Sequence, residues 1–152
     1  MDARVRCAFD ALEHRDLHLL ENDANERTIC ARLAMYLQSV FPGYDVDVEY
    51  NRHGMDPKRI GVNPARDEEL VYPDLVVHHR GNDDCNLLVI EVKKSSNPET
   101  RRRDRAKLEG CVEQVKYRFA VLVDLRVGVL PTARRREQLD RVHPPSAGTP
   151  PS

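Results

Sequence analysis

No stretch of this chain approaches the roughly eighteen consecutive apolar residues of a membrane span, and nothing resembles the apolar core of a secretory leader. The expectation is a soluble, cytoplasmic protein without a membrane partner. Cysteine is sparse and scattered: Cys7, Cys30, Cys85 and Cys111 show no paired metal-binding spacing. They read as reduced core or surface thiols rather than a disulfide framework or a zinc site. Neither sign of charge prevails, since 24 Lys and Arg face 25 Asp and Glu for a net charge of -1. That balance argues neither for nor against nucleic acid, so the distribution of charge carries the information. There is no internal repeat. The 152 residues, 40% of them hydrophobic, fit one domain with a modest core that self-association would supplement. Residues 1–20 are expected as an N-terminal helical extension, 21–142 as the single domain, and 143–152, with Pro144-Pro145 and Pro150-Pro151, as a disordered tail.

What is present begins with two short runs rich in Val, Ile and Leu, Val71 to His78 and Asn86 to Lys93, separated by the turn-forming cluster Arg80-Gly81-Asn82-Asp83-Asp84. A β-hairpin is the natural reading. With the turn centred between Asn82 and Asp83, paired residues have numbers summing to 165, which sets Asp74 opposite Glu91. Directly opposed residues share a face with Cβ atoms roughly 4.5–5.5 Å apart, and like charges so placed repel unless something compensates. A divalent cation would compensate. Alternation puts Asp74, Val76 and His78 on one face of the first strand and Leu87, Val89, Glu91 and Lys93 together on the second, with Lys94 opposite. A bulge in either strand would separate the two carboxylates. His78 would share the Asp74 face, although a strand-end histidine is more often structural or solvated than a ligand.

Upstream, Asn22 to Val40 reads as an amphipathic helix, with Ile29, Leu33, Leu37 and Val40 at helical spacing and Phe41-Pro42-Gly43 ending it. Glu26 falls inside that apolar stripe. A carboxylate there needs a partner or a metal, because burying it ionised costs several kcal/mol. The other reading is that Glu26 lies in the first turn, where an acid favours the helix dipole and still reaches water.

A helix bearing a glutamate, a strand opening on Pro73-Asp74 and a strand carrying Glu91-Val92-Lys93 together resemble the PD-(D/E)XK nuclease superfamily over roughly residues 20 to 130. The wording resembles that of small bacterial members through Asn25-Glu26-Arg27, Glu49-Tyr50-Asn51-Arg52, Pro73 to His78 and Leu88 to Ser95. The resemblance implies an α/β fold with a restriction-endonuclease-like core, a mixed central β-sheet flanked by helices. It also implies hydrolysis of phosphodiester bonds in nucleic acid, usually DNA, with Mg2+ or Mn2+. The superfamily includes members that have lost activity.

Elementary coordination chemistry agrees with that implication. Hard divalent cations take oxygen ligands and keep several waters around one or two carboxylates. Asp74 and Glu91 are the expected ligands, with the Val92 backbone carbonyl as an extra oxygen and Glu26 joining directly or through water. Lys93 would stabilise developing charge, or would position and deprotonate the attacking water if its pKa were depressed. Against this stands the plain alternative that Glu91 and Lys93 form an exposed ion pair on an edge strand.

After the hairpin, Ser96 or Asn97 caps a helix, with Pro98 in its first turn and Glu99 completing a capping box, running to about Lys116. Leu108, Cys111, Val112 and Val115 form its apolar stripe. In the superfamily a polar residue on this helix often reaches the site, which makes Gln114 and Lys107 accessory candidates. Tyr117 to Leu125 reads as a core strand completing a sheet flanked by helices. Nineteen of the 24 basic residues are arginine, with runs at Arg101-Arg102-Arg103 and Arg134-Arg135-Arg136. The first run opposes its helix dipole, so phosphate contact explains it better than helix stability does; a solvated surface with Asp104 and Glu109 as partners is the alternative. Asn51 to Glu69 is a long connection expected to be mobile near the site and to order on binding.

Three function classes therefore stand open. They are an active metal-dependent nuclease; a nuclease-like domain with weak or no catalysis that binds nucleic acid or serves as an assembly subunit; and an unrelated α/β interaction module. Nucleic acid is the expected partner, DNA ahead of RNA, with specificity supplied by the long connection, a homodimer or a partner protein.

Overall fold

The computed structural model describes residues 1–53, 56–57, 59–60, 69–70, 72–81, 84–94, 98–128 and 139–142. The expected turn centre Asn82-Asp83, the cap candidates Ser96 and Asn97, the run Arg134 to Arg136 and the tail 143–152 lie outside the described residues, as does the side chain of Glu99. In chain order the elements are α1 (Asp2–Arg15), α2 (Leu17–Glu21), α3 (Glu26–Val40), β1 (Asp45–Val48), β2 (Arg52–His53), β3 (Asp56–Pro57), β4 (Arg59–Ile60), β5 (Glu69–Leu70), β6 (Leu75–His78), β7 (Leu88–Lys93), α4 (Pro98–Glu113), β8 (Phe119–Asp124) and β9 (Leu139–Val142).

The fold is α/β, built on a mixed open sheet flanked by helices. Strands β1, β6, β7 and β8 lie in that spatial order, and β9 follows on the β8 side. The pairs β1–β6, β6–β7 and β8–β9 are antiparallel, while β7–β8 is parallel. A parallel pair cannot be joined by a tight turn, so the chain crosses over through α4. The β6–β7 register is Leu75 to Ile90, Val76 to Val89 and Val77 to Leu88, so paired numbers sum to 165 as the hairpin reading predicts.

Each sheet face is covered by helices, and the strand alternation sorts side chains between two cores. Leu75, Val77, Leu88, Ile90, Val92, Val121 and Val123 pack with Ile29, Leu33 and Leu37 of α3 and with Val5, Ala8 and Leu12 of α1. Residues 1–20, expected as a helical extension, thus contribute to the main core. On the other face Val76, Val89, Ala120 and Leu122 meet Leu108, Cys111, Val115 and Tyr117, with Ile60 completing the cluster. Burial on both faces explains why β7 reads as a nearly continuous apolar run. Each such Leu, Ile or Val contributes roughly 1.5–3 kcal/mol relative to exposure. Among the described residues no helix is long and apolar enough to cross a membrane.

Several boundaries differ from the sequence reading, among them the start of β7 at Leu88 rather than Asn86 and of β8 at Phe119 rather than Tyr117. Helix α3 starts at Glu26 rather than Asn22, because Asn22 ends α2, Asp23 takes φ +51° and Asn25 caps α3 by accepting from the Thr28 amide at 2.8 Å. Helix α4 stops at Glu113 rather than Lys116: Lys116 turns at φ +64°, and the Tyr117 amide reaches back to the Cys111 carbonyl at 3.2 Å. Strand β6 starts at Leu75 rather than Val71, after Pro73, which has no amide to donate, and Asp74, which lies in a bend. The Asn51 to Glu69 connection contains two short antiparallel ladders, β2–β3 and β4–β5.

Two polar networks border the hydrophobic clusters. Asp16, between α1 and α2, accepts from Arg32 at 2.8 Å and from the Tyr36 hydroxyl at 2.5 Å, which ties the N-terminal helices to α3 and lowers the Asp16 pKa. At the β1–β6 edge, Asp47 meets His78 at 2.9 Å and both arms of Arg80, Nε at 2.8 Å and Nη2 at 2.5 Å. His78 is 2% exposed and stacks edge-on against Tyr50. It is a structural residue at the end of β6 away from Asp74.

Candidate functional site

Glu91 shares the parity of Val89 and so leaves the sheet face covered by α4, while Asp74, in the bend one residue before β6, lies near enough for its charge to act on Glu91. Asp74 is held in place from both sides. Its Oδ2 accepts from the Val92 amide at 2.7 Å, and its carbonyl accepts from the Glu49 amide at 3.1 Å. Val92 itself turns its side chain into the first core. Glu91 is 1% exposed. Burial, then the negative charge of Asp74, push its carboxyl up to about 7, against the opposing pull of Lys107 and Lys93.

Lys93 lies two residues on, so its side chain leaves the same face as Glu91. Its ammonium stands 3.8 Å from Glu26 Oε1, with side-chain exposures of 28% and 34%. Glu26 is thus both a first-turn acid and a member of the carboxylate group. Burial raises its pKa; Lys93 opposes the rise and Asp74 adds to it. Burial alone would depress Lys93, but Asp74, Asp104, Glu26 and Glu91 more than offset it and the net shift is upward. The depressed pKa required of a base is absent, which leaves Lys93 as a fixed positive charge.

One further residue settles where these groups sit. Lys94, on the opposite face as alternation requires, reaches Asp23 Oδ1 at 2.8 Å and the Ala24 carbonyl at 2.9 Å. It fastens the end of β7 to the start of α3 and so brings Glu26 to Lys93. A cleft of about 510 Å³ opens beside them, lined by Asn25, Glu26, Arg27, Cys30, Val48, Glu49 and Asp74. Arg27 and Glu49 form an exposed ion pair at 2.9 Å on this lining. Cys30 is buried, and burial followed by the charges of Asp74, Glu26 and Glu91 raises its thiol to about 12. It stays protonated and inert as a nucleophile.

Helix α4 brings two more side chains. Lys107 Nζ stands 2.6 Å from Glu91 Oε1 and donates to the Tyr72 carbonyl at 2.8 Å. Lys107 is thus the ion-pair partner of this buried oxygen, which has no other polar partner among the described residues. Gln114, the other accessory candidate, is not brought to the site. It lies beyond the end of α4, next to Val115, whose carbonyl accepts from Asn86 before the start of β7, whereas Glu91 lies toward the strand's other end. Asp104 was missed as a site residue. It is 8% exposed, its Oδ2 has no hydrogen-bond partner among the described residues, and burial raises its pKa against the pull of Lys93 and Lys107. The signal was available: Asp104, Leu108, Cys111 and Val115 repeat at helical spacing, so the acid sits in the apolar stripe as Glu26 does in α3.

Of the arginine run, Arg101 pairs with Asp124 at 3.2 Å, while Arg102 and Arg103 are exposed on the first half of α4. Among the described residues, no group of three or more His, Cys, Asp and Glu side chains is assembled to hold a metal ion. A hard cation needs fewer protein ligands, since it binds through one or two carboxylates and keeps its waters. Asp74 and the buried Glu91, near enough for the charge of one to act on the other, fit that requirement.

No family model, curated protein or solved structure matches the chain.

Proposed function

We propose that this chain is a metal-dependent nuclease of the PD-(D/E)XK type, with a restriction-endonuclease-like core, hydrolysing phosphodiester bonds in nucleic acid, most favourably DNA. The observation that carries the reading is the buried Glu91 set beside Asp74, with Lys93 projecting from the same strand face toward Glu26 at the rim of a cleft. Buried acids with strongly shifted pKa values beside a cleft are marks of functional sites, because stability alone would replace them with apolar residues.

Asp74 and Glu91 would hold Mg2+ or Mn2+, which when bound supplies Lewis acidity and an activated water. The remaining chemistry belongs to the chain. The Val92 amide orients the Asp74 carboxylate. Lys93, kept charged by the acids around it, stabilises negative charge developing on phosphate oxygens. Glu26 restrains the Lys93 ammonium from the α3 side. Arg102 and Arg103 present guanidinium groups suited to bidentate phosphate contact.

Calorimetric titration of Mn2+ into wild type, Asp74→Ala and Glu91→Ala tests this reading, with circular dichroism confirming that each is folded. Single- and double-stranded DNA and RNA are then screened for cleavage with the same proteins. Saturable binding and cleavage lost in both variants is the expected result. Binding without cleavage of any substrate would favour the second reading, a nuclease-like domain that binds nucleic acid or serves as an assembly subunit. One observation favours it: Lys107 already occupies Glu91.

A further inference from the structure

We propose that Lys107 is the resident counter-cation of Glu91, and that it exchanges Glu91 for Asp104 when a divalent cation takes up the carboxylate pair. This inference rests on Asp74 and Glu91 being the metal ligands.

The Glu91 carboxylate is almost wholly buried, and an ionised carboxylate in such a place requires a countercharge. Lys107 supplies it at 2.6 Å. An ammonium and a divalent cation repel each other and cannot share that oxygen, so metal entry displaces Lys107. The displacement gives up this ion pair, and the metal on Glu91 together with Asp104 receiving the ammonium must offset the loss.

A receiving site stands next to it. Asp104 lies three residues earlier on α4, and side chains at that spacing are neighbours on a helix surface. Its Oδ2 is buried with no hydrogen-bond partner among the described residues, an arrangement native structures rarely leave unmet. The four-carbon stem and three rotatable donors of lysine allow the exchange by side-chain rotation, without movement of the helix.

The charges close on this arrangement. Four carboxylates, Glu26, Asp74, Glu91 and Asp104, share the site with two ammonium groups, Lys93 and Lys107. With Lys93 on Glu26 and Lys107 on Asp104, Asp74 and Glu91 are left with two negative charges for one divalent cation.

The test is Mn2+ titration calorimetry on the full chain, comparing wild type, Lys107→Met, Asp104→Asn and the double variant, each checked for folding by circular dichroism. Lys107→Met removes the competitor and is expected to tighten Mn2+ binding about tenfold. Asp104→Asn is expected to weaken binding in wild type and to have no effect in the Lys107→Met background. Equal or weaker binding in Lys107→Met, with wild type still binding, overturns the exchange and leaves the nuclease reading standing. Weakening by Asp104→Asn in both backgrounds also overturns it, because Asp104 would then be a ligand itself. Absence of Mn2+ binding in every folded protein removes the metal-site reading and the exchange with it. A second readout needs no variant at Lys107. With only five lysines in the chain, the Lys107 side-chain signal can be followed in 13C NMR spectra during Mg2+ titration. It should move at saturation, and an unmoved signal overturns the proposal.

Discussion

At the β1–β6 edge Asp47 is surrounded by donors, whereas toward the end of β7 Glu91 is almost wholly buried, with the Asp74 carboxylate opposing the ammonium groups of Lys107 and Lys93. The guanidinium of Arg80 grips Asp47 with two arms and His78 takes a third contact, so its carboxyl is held below the usual range despite partial burial. Burial, then the charge of Asp74, drive Glu91 up to about 7 despite Lys107 at 2.6 Å and Lys93. Burial is the first difference, since Glu91 is 1% exposed and the Asp47 side chain 19%. The second is how far the fold satisfies the charge it encloses. A satisfied acid fastens two strands together. An unsatisfied one is costly to keep and has its carboxylate available to something else.

The largest contrast should appear in turnover. Lys93→Ala is expected to reduce metal-dependent cleavage by about 10²–10³-fold through lost charge stabilisation, while Arg80→Ala leaves the rate of the folded protein unchanged. Matched single-turnover assays check this. Equal losses would mean that the two ends of the sheet do not differ in function.

Stability should move in opposite directions. Asp47→Ala removes the carboxylate that the buried His78 ring and Arg80 share, and is expected to cost about 1–3 kcal/mol in urea unfolding at pH 7. Glu91→Gln removes an ill-compensated charge and is expected to stabilise the metal-free protein by about 1–3 kcal/mol at pH 8.

The pH dependences are opposite as well. Asp47 has a folded pKa below its ordinary 3.8, so its stabilisation is complete above that value and is lost as pH falls through the folded pKa. For Glu91 the folded value of about 7 exceeds the ordinary 4.5, so its proton-linked stabilisation is complete below 4.5 and is lost as pH rises through about 7. The advantage of Glu91→Gln over wild type should therefore grow between those limits and level off above them. Thermal unfolding across pH 4 to 9 checks the slope, and a pH-independent difference would contradict the raised pKa. The smallest effect is expected at the cleft lining, where Arg27 and Glu49 are 82% and 45% exposed. Arg27→Ala should change stability by less than about 0.5 kcal/mol in chemical denaturation.

Several of these features were readable before the structure. Hairpin register was legible because alternation and a short turn leave few ways to pair Val76 with Val89, and a slip of one residue would expose a whole apolar face. Glu26 was legible as an acid in an apolar stripe. Asp104 carries the same signature and was read instead as a local partner of the arginine run, since the neighbouring charges masked its periodicity. Lys107 and Gln114 could not be separated from sequence, because the choice depends on where α4 ends relative to the sheet. The pairing of His78 with Asp47 joins residues 31 apart in the chain, and no local pattern announces it.

The chain by itself determined β6, β7 and β8, the face on which Glu91 lies and the helices that carry Glu26 and Asp104, because these follow from periodicities of about 2 and 3.6 residues. Tertiary structure alone decided that Lys107 stands on Glu91, that Lys94 draws α3 toward β7, and that Asp47 is satisfied while Glu91 is not. The physical reason is that a carboxylate's energy depends on burial and on charges a few ångströms away, which come from segments distant in sequence and converge only when the helices close over the sheet.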